Sequence, residues 1–229
     1  TVRRDSSTEP EMKAAAQQFF DAATKSSREQ ADAALRSLGA HFDLEDGSRA
    51  AFLALVCGAL IERGCDPLAI ARPLTGRLEA LLKSSVTLAD ACIAQLPKSE
   101  DGDEDPNEAF ERARSQLIQT MPQENAAWEA LAIFWRPAIA TFSVSAKARA
   151  AARHLREPAT RIAEYHEAGH WLHLMLGVLN DEPIVVIEPK TKLGIIGRIS
   201  GVVDNFQLNV LLMDGFPKSG LFARRRVAQ

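Results

Sequence analysis

Long apolar runs are missing from this chain of 229 residues. The longest covers residues 50–61, short of the roughly 20 residues that a membrane-spanning helix needs, so no transmembrane segment is expected. Nor does a hydrophobic stretch follow Thr1-Val2-Arg3-Arg4 as the core of a signal peptide would. Charge of one sign is also scarce. Thirty acidic residues stand against 27 basic ones for a net charge of −3, which speaks against nucleic acid as a partner, since that needs a clear basic excess. The three cysteines, Cys57, Cys65 and Cys92, form no C-x-x-C pair. Neither a disulfide framework nor a cysteine zinc site follows, and a reducing, cytoplasmic setting is expected. Aromatics make up 6% of the chain, and β-branched runs occur only near residues 184–203. What remains is rich in alanine and leucine, with an apolar fraction of 46% that suits a folded, soluble protein. The expected fold is mainly α, with one small β-hairpin.

Capping signals divide the N-terminal part. Thr8-Glu9-Pro10-Glu11 opens a helix toward Lys25, and Ser27 with Gln30 forms a capping box for a second one ending at Gly39. Residues 46–63 read as a buried helix stopped by Gly64. Asp66-Pro67 restarts the pattern, and Pro73 is expected to split it into a short turn and a longer helix through Leu96. Residues 98–106 carry Glu100, Asp101, Asp103, Glu104 and Asp105 and read as a solvated acidic linker; the glycine and glutamate spacing of an EF-hand is lacking. Beyond it, helices are expected over residues 106–121 and 122–155, the second kinked or broken at Pro137, and then over residues 157–179. Ile184-Val185-Val186-Ile187 and residues 193–203 read as a hairpin, followed by a short helix from Asn205 to Met213 that Gly215-Phe216-Pro217 ends. The basic tail with Arg224, Arg225 and Arg226 reads as a solvated terminus. Domain boundaries are therefore expected as a helical region 1–97, the linker 98–106 and a second region 107–229.

One constellation carries chemistry. His166-Glu167-Ala168-Gly169-His170 matches H-E-x-x-H inside a predicted helix. Residues four apart lie one turn above each other, so two imidazoles at that spacing can face one zinc ion. Glu167 is rotated about 100° from His166, which places a carboxylate beside the metal as a base for metal-bound water. Gly169 is a poor helix former, and its presence calls for the close approach of another backbone or of a substrate. His173 stands too far along the helix to share an ion with His166 and reads as a surface or supporting residue. Trp128 and Trp171 read as core aromatics, and Glu164 as solvated.

The run Ala163-Glu164-Tyr165-His166-Glu167-Ala168-Gly169-His170 resembles the catalytic helix of the FtsH family of ATP-dependent zinc proteases, whose hallmark is Tyr-His-Glu-Ala-Gly-His. Val185-Val186-Ile187-Glu188-Pro189 followed by Leu193-Gly194 resembles that family's β-hairpin, so the likeness spans residues 156–200. It implies His166 and His170 as zinc ligands and Glu167 as catalytic base. The family's third ligand is an aspartate beyond a Gly-Gly-Arg-x-Ala-Glu segment that this sequence lacks; Asp214, Asp204 and Glu182 are the candidates, with Asp214 favoured on its short helix. No G-x-x-x-x-G-K-[ST] phosphate loop is present, so an unfolding ATPase would come from a separate protein docking on the helical region. The expected function is that of a soluble zinc-dependent metallopeptidase-like protein acting on protein or peptide substrates. The alternative is a catalytically inactive zincin-like binding or regulatory protein.

Overall fold

The computed structural model describes residues 9–44, 46–96, 105–188 and 193–219. The fold is mainly α with one two-stranded hairpin. Helix α1 (Glu9–Lys25) is followed by α2 (Arg28–Gly39), where both halves of the Ser27–Gln30 capping box form. Helix α3 (Gly47–Glu62) starts at Asp46, whose carboxylate accepts from the N–H groups of Ser48 and Arg49. It stops where Gly64 takes a φ of 98°, open to glycine at no steric cost. Helix α4 (Leu68–Ile93) is the longest, and α5 (Pro106–Leu117) is capped by Asp105. Then come α6 (Pro122–Val144), α7 (Ala146–Ala151), a short 3₁₀ turn, α8 (Arg156–Ile162) and α9 (Glu167–Gly177). Strands β1 (Glu182–Glu188) and β2 (Leu193–Ile199) pair antiparallel, with Val185 opposite Ile196, and α10 (Asn205–Ser219) follows.

Both internal prolines are absorbed. Pro73 lies in α4 and Pro137 in α6 without ending either helix: the split expected at Pro73 does not occur, and of the kink or break expected at Pro137 the break does not. A proline removes one ladder bond, and here tertiary packing offsets that loss. Pro73 is flanked by the buried Ile70 and Leu74, while Pro137 is itself buried. Helix α6 ends instead at Ser145, whose hydroxyl accepts from the Ala148 N–H and so begins α7. Helix α10 likewise runs past Gly215 and Pro217 rather than stopping before them. The Thr8 cap, most of the acidic linker and the arginine tail lie outside the described residues.

The chain divides into two compact units, Thr1–Leu176 and Gly177–Gln229. In the first, a single core runs from Leu35 on α2 to Leu176 on α9, with α6 packed along both α3 and α4. The boundary expected near residue 97 is therefore not one in packing, because Phe110, Trp128, Leu131 and Phe134 fill the same core as Leu74, Leu78 and Leu82. Cys57 and Cys92 belong to it as well, and burial pushes their thiols up to about 12 and about 11. In the second unit, the hairpin is closed at its base by the Leu179 N–H donating to Val202 O and the Gly201 N–H to Leu179 O. No helix among the described residues is long and apolar enough to cross a membrane.

Helix α3 reaches α6 at one glycine. A Cβ on Gly58 would lie 2.9 Å from the Pro137 Cα, whereas one on Gly76 in α4 would meet nothing within 4 Å. Gly58→Ala should therefore destabilise the protein by about 1–3 kcal/mol through overpacking. Gly76→Ala should stabilise it by roughly 0.5–1 kcal/mol through helix propensity. Urea denaturation of the two variants measures both.

Candidate metal centre

The segment expected to be one helix from residue 157 to 179 is two. Helix α8 ends at Ile162, a turn carries Ala163 to Tyr165, and α9 begins at Glu167. His166 stands at the junction. Its main-chain N–H donates back to Ile162 O, and its carbonyl accepts from the His170 N–H at 3.3 Å, so it opens the ladder of α9. Its ring completes the cap: Nδ1 accepts from the Ala168 N–H at 3.0 Å, satisfying one of the free donors of the first turn.

That bond determines the tautomer. With Nδ1 accepting, the ring proton sits on Nε2, which donates to the Trp128 carbonyl at 3.0 Å. Both nitrogens are thus committed to the backbone, one within its own helix and one to α6. The ring is 7% exposed and lies against a group of aromatics. The Trp128 indole meets it edge-on at 4.4 Å, Phe110 packs on Trp128, and Tyr165 stacks on Phe110 at 4.3 Å. Burial pushes the His166 pKa below its ordinary value; the bond to Trp128 and the charges of Glu129 and Glu167 oppose that shift, and Arg114 adds to it.

The other motif residues also have structural roles. Glu167 is exposed in the first turn of α9, where a carboxylate favours the positive end of the helix dipole. Ala168 is fully buried. Gly169 admits another backbone, as its place in a helix required. A Cβ there would lie 2.8 Å from Ala159 O, 2.9 Å from Ala163 N and 2.7 Å from the Ile162 side chain. His170 is exposed, with its ring edge-on to Trp171 at 5.3 Å. Trp171 is 44% exposed rather than core, and stacks on Trp135. His173 has its Nδ1 2.7 Å from the Thr160 hydroxyl, a link between α8 and α9. Glu164 is exposed, as expected.

Zinc needs a free lone pair on each ligating imidazole. His166 has one, on Nδ1, and the Ala168 N–H occupies it. The donor set in this arrangement does not fit the ion. Among the described residues no group of three or more His, Cys, Asp or Glu side chains is placed to hold a metal. Of the candidate third ligands, Asp204 caps α10 by accepting from the Gln207 N–H at 2.8 Å, and Glu182 lies on β1 opposite Ile199. Asp214 is on α10, with its side chain outside the described residues. What the motif could not disclose was Trp128, whose carbonyl lies 38 residues away and has no side-chain signature.

No protein-family model matches the chain, and no curated protein and no solved structure matches it.

Because the ring is both cap and donor, His166→Ala should lose about 1–2 kcal/mol, leaving the Ala168 N–H without its side-chain acceptor and removing the bond that ties α9 to the Trp128 carbonyl. His166→Asn, which can still cap, should recover part of that loss. Acid should weaken the wild type in a way that His166→Ala abolishes. The folded pKa lies below that of the unfolded chain, near 6.5, so stability is full above that pH. It falls as pH drops below about 6.5, where the unfolded chain takes up a proton that the folded ring refuses, by at most about 1.4 kcal/mol per pH unit. Denaturation of both proteins between pH 5 and 8 measures the difference.

Proposed function

We propose that this chain works by binding another protein, as a catalytically inactive zincin-like binding or regulatory protein in which the HEAGH segment is a helix junction. The observation that supports this reading is the double commitment of His166, with Nδ1 held by the Ala168 N–H and Nε2 by the Trp128 carbonyl. A ligand imidazole keeps one nitrogen for the metal and uses the other for orientation; this one uses both for the fold. The close fit of Gly169 against Ala159 and Ala163 gives the glycine a role that needs no substrate. The helical unit would be the docking surface, in the cytoplasmic setting that the three unpaired thiols suit.

The zinc-dependent metallopeptidase is the second reading. In its favour, the His170 N–H to His166 carbonyl bond keeps the two histidines one turn apart, and Glu167 is exposed beside them, as in the FtsH-like pattern. It requires the His166 ring to free one nitrogen from its backbone partner, and it leaves the third ligand among Asp214, Asp204 and Glu182.

Metal analysis after equilibration with zinc and gel filtration separates the two. A binding protein should retain far less than one zinc per chain, unchanged in His170→Ala, an exposed position where substitution leaves the fold intact, and should cleave no unfolded protein substrate. One zinc per chain, lost in His170→Ala, together with peptide cleavage lost in Glu167→Gln, would overturn the binding reading and establish the hydrolase.

A further inference from the structure

A cleft of about 260 Å³ lies between α4 and α6, away from the HEAGH junction. From α4 it is lined by Arg77, Ala80, Leu81 and Ser84, and from α6 by Gln123, Ala126, Ala127 and Ala130. Both sets follow the i, i+3, i+4, i+7 spacing of one helix face, so the cleft is a groove between two facing stripes. Alanines keep it open. Gly47, at the start of α3, lines it too.

The polar groups of this groove lack partners among the described residues. The Arg77 Nε is buried with no acceptor in hydrogen-bond range. Among the described residues, no hydrogen bond or ion pair engages the Arg77 guanidinium, the Ser84 hydroxyl or the Gln123 amide. A buried donor without an acceptor costs free energy, and a guanidinium presents a planar fork that matches a carboxylate. Burial pushes the Arg77 pKa down; Asp43, from a neighbouring cleft, partly offsets this without forming an ion pair. Among the described residues, no carboxylate lines the α4–α6 groove.

We propose that this groove binds a small monocarboxylate with an apolar body, its carboxylate on Arg77 and its hydrocarbon part along Leu81 and the alanines of α6. A single cationic side chain balances one negative charge, which selects a carboxylate over a phosphate dianion. Apart from Ser84 and Gln123 the remaining lining is Leu81, four alanines and Gly47, which suits a hydrocarbon body rather than a sugar or a polyanion. At about 260 Å³ the groove is smaller than usual drug-sized pockets, so the ligand has few heavy atoms. Ser84 and Gln123 supply further hydrogen bonds at the polar positions. This site is independent of the binding reading above and stands or falls separately from it.

The test is isothermal titration of the full chain with 4-methylpentanoate, using 4-methylpentanamide, acetate and inorganic phosphate as comparison ligands. The wild type should bind 4-methylpentanoate at least about tenfold more tightly than its amide or acetate, and phosphate should not compete, since charge and apolar contact both contribute. Arg77→Gln should weaken binding about tenfold or more, and Arg77→Lys should weaken it less. Ala126→Leu, at an exposed position that helix α6 tolerates, should fill the groove and abolish binding with the circular dichroism spectrum unchanged. Absence of binding in the wild type, equal affinity for acid and amide, or preference for phosphate would overturn the proposal. So would binding that Ala126→Leu leaves intact, and this variant together with the wild-type ligand series decides the matter if Arg77→Gln fails to fold.

Discussion

His166 holds together three pieces of backbone that would otherwise meet only loosely. Its Nδ1 closes the first turn of α9, its Nε2–H reaches α6 at the Trp128 carbonyl, and its main-chain N–H returns to the end of α8. Because the ring is buried, each bond forms in a medium where the unmade alternative is expensive, so the three act together to set the angle between helices. The aromatics Phe110, Trp128 and Tyr165 exclude water from the junction, and Arg114, paired with Glu111 on its own helix, ties α5 to α6 through Glu129. Gly169 then allows α9 to approach α8 with no side chain between them.

This junction changes what an H-E-x-x-H pattern means here. The spacing is compatible with two ligands on one helix face, but it is equally compatible with a first histidine that stands just before the helix and caps it. The two cases differ by whether the residue adopts helical backbone angles and whether its ring finds partners elsewhere. Both are decided by surroundings. Burial moves the His166 pKa down and so favours the neutral ring, and the Ala168 N–H on Nδ1 confines its proton to Nε2.

The second unit has a different balance. Its hairpin has Val185, Ile187 and Ile196 exposed on one face, and α10 exposes Phe206, Leu211 and Met213. A two-stranded sheet is marginal by itself, so its stability depends on the turns at its base. Asp181, at a positive φ of 54°, holds one of those turns with Arg198 and Ser200.

Much of the helical order could be read from local chemistry. The Ser27–Gln30 capping box, the stop at Gly64 and the pairing of the two β-branched runs depend on residues a few positions apart, and they occur where sequence alone put them. Tertiary packing overrode local signals at Pro73 and Pro137, where burial compensates for one lost ladder bond, whereas at Ser145 a local hydroxyl cap ended a helix expected to continue. The motif residues were legible as a set, and the need for a close neighbour at Gly169 was legible too. The role of His166 was not. It depends on a main-chain carbonyl 38 residues away, and a carbonyl is the same at every position in the chain, so only the fold could say which one the ring would find.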